Sequence, residues 1–328
     1  MPERTEAPLS PSQERVRKAM TGLLARAGLE YRGGFVNLPG GMRVHYLDYG
    51  PIAAPDDADA PVVILVHGGG AGSAMWYRQI AALSARFRVI APDNPLFGLS
   101  TQTSLSWPIE DSITGYMTSF MDALGLKNVL FAGLSLGGFA GLLMAARHPE
   151  RISKLAVLDA AGLGRDLPWP LKFMSLPVAG RLLSNPSRRT YRSFFRRWEV
   201  ERPGGPDAEA YEEYSFAIMR QDGHNRAIAQ TVPAFASLAG QRRLISDAEL
   251  ATVSAPTLIV WGARDRLFPV SHARRAFENI PGAMLQILPD TGHVTLWDAP
   301  EQVTELLTGF FSDGWTPPRK SIATEEVS

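Results

Sequence analysis

The sequence predicts an α/β protein in which a mostly parallel sheet of eight strands is covered by helices on both faces. Short apolar runs alternate with helical segments over residues 31–163 and again over residues 251–312. This alternation is typical of parallel strands that are buried on both faces. Between the two stretches, residues 164–250 contain several prolines and lack strand signals, which predicts an inserted helical subdomain. A chain of 328 residues can hold one large core with such an insertion.

The individual elements can be placed from these apolar runs. A hairpin over residues 35–38 and 42–49 is expected to turn at Pro39-Gly40-Gly41. Further strands are expected near residues 62–67, 88–92, 128–134, 154–159, 257–262 and 284–289, and helices near residues 74–85, 109–125, 136–148, 271–280 and 299–312.

Both ends of the chain lie outside this pattern. Residues 1–30 form an N-terminal extension in which Ser10, Pro11 and Gln13 are typical of a helix start. Apolar side chains then fall on one face of the predicted helix: Val16, Met20, Leu23, Leu24 and Ala27. We expect this face to pack against the rest of the chain. Residues 313–328 have few apolar side chains, so we expect a disordered tail.

Composition excludes several functional classes. The 33 basic and 33 acidic residues cancel, so no overall field attracts the chain to nucleic acid. Without cysteine, disulfides and cysteine nucleophiles are impossible. No apolar run is long enough for a membrane span, and the N-terminus does not resemble a signal peptide. We therefore expect a cytoplasmic monomer or homodimer that forms no stable association with membranes. Neither a cofactor nor a metal site is indicated by the sequence.

The pentapeptide Gly-Leu-Ser-Leu-Gly at residues 133–137 is the strongest signal of chemistry. It follows an apolar run typical of a buried strand and precedes a segment typical of a helix. A serine on such a sharp turn is held in a strained conformation with its hydroxyl exposed, and it needs small neighbours. Gly133 and Gly137 supply that clearance. Ser135 is therefore predicted to be a nucleophile.

A nucleophilic serine needs a base, and the base needs a partner that orients it. His293 and Asp265 each follow a predicted strand, as Ser135 does, and the carboxyl ends of parallel strands lie at one edge of a sheet. Asp159, at the end of another strand, is the alternative acid. His224 and His272 are expected on exposed helices, and His67 is expected to be structural.

With these residues in this order, the chain resembles the serine hydrolases of the α/β-hydrolase superfamily over roughly residues 35–312. The resemblance implies that residues 164–250 form a helical lid. It also implies an oxyanion hole built from the backbone N–H groups of Gly69 and Leu136, with Gly70 as the alternative to Gly69.

The resemblance also bears on the substrate. The run His67-Gly68-Gly69-Gly70 followed by Trp76 is similar to the meta-cleavage-product C–C hydrolases, and Arg196 matches a lid arginine of that group. The tentative substrate-binding residues are therefore Gly68, Gly70, Trp76, Arg196 and Val294. However, that group has asparagine where this chain has Leu134, and tryptophan where it has Val294.

These two departures favour hydrolysis of a small-molecule carboxylic ester. Two alternatives stay open. One is hydrolysis of a C–C bond in a vinylogous diketone, and the other is a ligand-binding receptor with this fold. The arginine-rich helix around Arg192 is expected to be an amphipathic lid helix with a solvated basic face. The alternatives are an inward-facing arginine that holds a substrate carboxylate and a basic face that binds a lipid surface.

Overall fold

The computed structural model describes residues 8–51, 61–101, 108–176, 178–180, 187–312 and 314. Its central sheet has eight strands in the order β1-β2-β4-β3-β5-β6-β9-β10. The strands are β1 (Gly33–Leu38), β2 (Met42–Tyr49), β3 (Val62–Val66), β4 (Arg88–Pro92), β5 (Val129–Leu134), β6 (Ile152–Leu158), β9 (Thr257–Gly262) and β10 (Met284–Leu288). β2 is antiparallel to both of its neighbours and the other pairs are parallel. The predicted fold class is confirmed.

Helices cover both faces of the sheet. The helices of the N-terminal part are α1 (Pro11–Ala25), α2 (Tyr77–Leu83), α3 (Ile109–Ala123) and α4 (Leu136–Arg147). After the sixth strand come α5 (Trp169–Met174), α6 (Arg188–Phe194), α7 (Ala208–Met219), α8 (His224–Phe235), α9 (Asp247–Ala251), α10 (Val270–Asn279), α11 (Thr295–Asp298) and α12 (Pro300–Phe311). Within the described residues, no helix is both long and apolar enough to cross a membrane.

Alternate side chains of the buried strands enter two separate apolar clusters. Ile64 and Phe131 lie in the cluster on one face of the sheet, whereas Leu65 and Ala132 lie in the cluster on the other. All four side chains are fully buried. Because side chains alternate along a strand, an apolar run without polar interruptions is what a sheet covered on both faces requires.

The N-terminal helix α1 packs against α7 of the insertion. Ser10 and Gln13 form the expected capping box, and Val16 and Met20 are fully buried. A second contact lies at the other end of α1, where Arg26 Nε donates to Asp207 Oδ1 over 2.8 Å. The N-terminal extension therefore packs against the insertion, as the amphipathic pattern predicts.

The insertion, residues 164–250 between β6 and β9, is mainly helical. It also contains a small hairpin of β7 (Ala236–Ser237) and β8 (Gly240–Gln241), which the sequence does not predict because two residues are too few to show alternation. The first turn beyond α6 is a π-helical segment, Phe195–Glu199. The sequence Asn185-Pro186 is also typical of a helix start, but both residues lie outside the described part of the chain, as does most of the expected disordered tail.

Candidate active site

Ser135 is held in a strained turn between β5 and α4. Its φ of 54° lies in the region that side chains other than glycine rarely adopt. The backbone around it is fixed by hydrogen bonds, because Ser135 N–H donates to the Leu158 carbonyl over 2.8 Å and its own carbonyl accepts from Phe139 and Ala161. These contacts hold the strain in place, as is common at functional sites.

The glycines around Ser135 allow a close approach of three backbone segments. A Cβ on Gly133 would collide with the Gly137 carbonyl, and a Cβ on Gly137 would collide with the Val66 carbonyl. A Cβ on Gly68 would lie 3.3 Å from Ser135 Cβ, so the loop after β3 passes directly beside the serine. Gly69 lies near Leu136, since its Cβ would be 3.9 Å from Leu136 Cδ2.

Asp265 and His293 form a buried pair at the ends of β9 and β10. The distance between Asp265 Oδ2 and His293 Nδ1 is 2.8 Å. The other carboxylate oxygen of Asp265 accepts from the N–H groups of Leu267 and Phe268, over 2.7 and 3.0 Å. Burial alone lowers the pKa of His293, but the charge and hydrogen bond of Asp265, with the charges of Asp159 and Glu199, raise it to about 9. This arrangement stabilises the imidazolium form.

Asp159, the alternative acid, lies behind this pair. Its Oδ1 accepts from Gly262 N–H over 2.8 Å, and Thr295 lies close to the carboxyl group. Burial, with the charge of Asp265, raises the pKa of Asp159 well above its usual value. Asp265 therefore contacts His293 directly, and Asp159 influences it only through its charge.

Ser135 and His293 line one cavity of about 350 Å³. Gly68, Gly69 and Gly70 lie on its wall. Leu134, Leu136 and Val294 line it as well, so both positions that depart from the C–C hydrolase pattern face the cavity. The insertion supplies the opposite wall, mostly with apolar side chains: Leu167, Pro170, Leu171, Met174, Phe194, Met219, Ile228, Val232 and Phe235.

Two of the tentative substrate-binding residues lie elsewhere. Trp76 does not line the cavity; it is fully buried in the apolar cluster that includes α1 and α7. Arg196 is exposed and lines a separate surface pocket with Arg192. Because Tyr191 and Phe194 turn toward the cavity, the arginines at helical spacing on the opposite side of α6 face away from it. Arg196 therefore does not line the cavity of Ser135, and its exposure agrees with a solvated basic face on this helix.

Two cavity residues of the insertion were missed in the sequence. His224, expected on an exposed helix, is buried in the cavity wall, and burial lowers its pKa to about 4. Glu199 also lines the cavity. Helical spacing gives no signal for Glu199, because it lies at the end of the π-helical segment Phe195–Glu199, where α-helical periodicity does not hold. His272 is buried too, with Nε2 3.0 Å from Asp166 Oδ2.

Asp298 connects the His293 loop to the insertion. Its carboxylate accepts from Gly292 N–H over 2.7 Å, and from the N–H groups of Glu201 and Arg202 over 2.9 Å each. Nearby, Val294 N–H donates to the Glu199 carbonyl over 2.9 Å. The segment 199–202 of the insertion is thus bound to the loop that carries His293.

The fold is that of a known family of hydrolases. The family model for the alpha/beta hydrolase fold matches residues 61–300, which is most of the chain. The protein therefore belongs to the alpha/beta hydrolase family. Among the described residues, no group of three or more histidine and acidic side chains is placed to hold a metal ion.

Individual relatives include hydrolases of two kinds. The chain is 29% identical over 271 residues to a 2-hydroxy-6-oxo-6-phenylhexa-2,4-dienoate hydrolase of Burkholderia cepacia, which covers 79% of this chain and 90% of the relative. A solved meta-cleavage product hydrolase from Pseudomonas fluorescens is 25% identical, with a TM-score of 0.71 over 84% of this chain and 96% of that chain. A carboxylesterase from Bacillus subtilis shares the fold with a TM-score of 0.74 at 24% identity, over 93% of this chain and 100% of that chain.

Proposed function

We propose that the protein is a serine hydrolase that cleaves carboxylic esters through an acyl-enzyme on Ser135. The observation that carries this proposal is the 2.8 Å contact between Asp265 and His293, at the wall of the cavity that also holds the strained Ser135. A serine, a base and an acid that orients the base are the requirements of nucleophilic acyl transfer.

In the proposed mechanism, Ser135 Oγ attacks the ester carbonyl while His293 accepts its proton. Asp265 holds the imidazole ring and stabilises the imidazolium. The N–H groups of Gly69 and Leu136 donate to the developing oxyanion. Leu136 is the first residue of α4, so the positive end of the helix dipole adds to this stabilisation. His293 then protonates the leaving alcohol, and it activates the water that releases the acid.

The chemistry of the cavity wall favours a neutral ester. None of the described residues that line the cavity is an arginine or a lysine. A dienoate substrate carries a carboxylate, and burying that charge without a lysine or arginine partner is costly. Leu134 and Val294 add apolar surface next to Ser135 and His293. The insertion acts in this proposal as a lid that excludes water from the acyl-enzyme.

C–C bond hydrolysis is the second candidate. Its support is the similarity to the Burkholderia dienoate hydrolase and to the Pseudomonas meta-cleavage product hydrolase. The same serine, histidine and acid would serve either reaction, so the two candidates differ in the substrate that the cavity accepts.

Removal of the nucleophile tests the proposal directly. Ser135→Ala should lower kcat for p-nitrophenyl butyrate by about 10⁴-fold or more, with an unchanged melting temperature. The matched control is Ser193→Ala, whose serine is exposed on α6. A fluorophosphonate should label the unmodified protein and not Ser135→Ala. Near-native turnover by Ser135→Ala would refute the mechanism, and absence of labelling and turnover in the unmodified protein would favour a receptor.

A substrate comparison separates the two candidates. Steady-state kcat/KM is measured for p-nitrophenyl butyrate, for an aryl ester that carries a carboxylate, and for 2-hydroxy-6-oxo-6-phenylhexa-2,4-dienoate. We expect the neutral ester to be the best substrate. A higher kcat/KM for the dienoate would refute ester hydrolysis as the main activity and support C–C bond hydrolysis.

A further inference from the structure

Glu199 places a carboxyl group in an otherwise apolar cavity. It is the sole acidic side chain among the described residues that line this cavity, and none of them is a lysine or an arginine; the histidines of the wall are His224 and His293. The backbone of the segment that carries it is held in place by hydrogen bonds. The Glu199 carbonyl accepts from Val294 N–H, and the N–H groups of Glu201 and Arg202 donate to Asp298. Its position therefore does not depend on a flexible loop.

The Glu199 carboxyl group has no hydrogen-bond or ion-pair partner within the part of the chain that the structure describes. The neighbouring arginines do not supply one, since Arg196 and Arg197 are exposed. The residue is partly exposed, and a carboxyl group that faces an apolar cavity without a protein partner is a candidate for contact with a ligand. Burial raises the pKa of Glu199 to about 7, while the charge of His293 opposes the rise.

Two tyrosines lie near Glu199 in the same wall. Tyr191 and Tyr211 both line the cavity, and the charge of Glu199 is close enough to raise the pKa of each beyond the effect of their burial. Phe195 supports both rings, at centroid distances of 6.0 Å from Tyr191 and 5.5 Å from Tyr211. Aromatic faces beside a carboxylate are the surroundings in which proteins bind ammonium groups.

We propose that Glu199, Tyr191 and Tyr211 form a subsite for an alkylammonium group of the substrate. This inference rests on the proposed ester hydrolysis, because it assigns the class of ester: a carboxylic ester whose acyl or alcohol part carries a positive charge. The carboxylate attracts the cation across a cavity with little water, and the aromatic faces replace part of its hydration.

Binding to a variant that cannot turn over tests the subsite separately from catalysis. Choline and 3,3-dimethylbutan-1-ol have the same shape and differ in charge. Titration calorimetry with Ser135→Ala at pH 8 should show choline binding about tenfold or more tightly than the neutral alcohol. Adding Glu199→Gln should remove this preference, whereas adding Glu199→Asp should keep part of it.

The matched control is Glu209→Gln, the same substitution at an exposed position of the insertion. It should leave the preference for choline unchanged. Equal affinities for choline and the neutral alcohol, or a preference that survives Glu199→Gln in a protein with native circular dichroism, would overturn the subsite.

Hydrolysis by the unmodified protein completes the test. Butyrylcholine should have a kcat/KM about tenfold above that of 3,3-dimethylbutyl butyrate, mainly through KM. Hydrolysis of both esters without a preference would refute the subsite and keep the proposed function. Choline binding that depends on Glu199, without hydrolysis of either ester, would support the subsite and refute ester hydrolysis.

Discussion

The two walls of the cavity hold their polar side chains in different ways. On the core side, Asp265 accepts from two backbone N–H groups and from His293, and Ser135 lies on a turn fixed by three backbone hydrogen bonds. On the insertion side, the carboxyl group of Glu199 has no such partner among the described residues. The polar groups of the core wall thus have protein partners, whereas the insertion wall contains a carboxyl group without one among the described residues.

This difference indicates a division of labour between the two walls. Groups that are already satisfied and rigid suit bond making and breaking, because no reorganisation is needed during the reaction. A group that lacks a protein partner discriminates between ligands, since only some of them supply one. Changes on the core side should therefore affect turnover, and changes on the insertion side should affect the choice of substrate.

After Ser135→Ala, the largest loss of kcat is expected for Asp265→Asn. The amide cannot hold the imidazole in the required tautomer, so kcat should fall by about 10³–10⁴-fold. Asp159→Asn is the matched control, because asparagine tolerates the positive φ and still accepts from Gly262. A larger loss in Asp159→Asn than in Asp265→Asn would exchange the roles of the two acids.

The pH dependence of kcat/KM should report on the same pair, Asp265 and His293. His293 must be neutral to act as a base, and its pKa is raised to about 9. Hence kcat/KM should rise by about 100-fold between pH 7 and a plateau above pH 9. In Asp265→Asn the midpoint should move to lower pH, because the main stabilising charge is lost. A midpoint that stays the same in this variant would contradict the assigned coupling.

Asp298→Asn tests the connection between the two walls. An amide has one acceptor oxygen for three N–H donors, so at least one donor loses its partner. We expect kcat/KM to fall by about tenfold and stability to fall by about 1–3 kcal/mol. The control is Asp290→Asn, an exposed acid of the same loop. Unchanged kinetics in Asp298→Asn would show that the walls act independently.

Arg26→Ala should have the smallest effect. It removes one of the donors to Asp207, which also accepts from Tyr77 and Arg78 over 2.7 and 2.8 Å. We expect urea unfolding to show a loss of about 0.5–1 kcal/mol, with kcat/KM within about twofold. Arg17→Ala, which breaks the exposed pair with Glu14, is the matched control. A large loss of activity would make α1 part of the catalytic arrangement.

Much of the core could be predicted from the sequence, because local signals and tertiary structure agree there. The predicted strands over residues 128–134 and 257–262 differ from β5 and β9 by one residue at most. Each is an apolar run that is buried on both faces, so its composition alone identifies it. The contact between Asp265 and His293 follows from their positions after neighbouring parallel strands.

The insertion wall was harder to predict, since burial there depends on how helices pack. His224 has the local sequence of an exposed helix start, yet it is buried against the cavity. Arg196 has the charge expected of a carboxylate ligand, but it lies in the π-helical segment after α6 and is exposed at a separate surface pocket. The directions in which the His224 and Arg196 side chains point depend on how the helices of the insertion pack. A short sequence motif therefore cannot predict them.

The contacts of Asp298 and Val294 have a consequence for the length of the substrate. They join the backbone of residue 199 to the loop of His293, so the Glu199 side chain extends from a point that is fixed relative to His293. In the proposed subsite, this fixed point limits the spacing between the ammonium group and the ester carbonyl of a substrate. In a series of ammonium esters with increasing spacer length, we expect one length to be hydrolysed best, and both shorter and longer members to be hydrolysed more slowly.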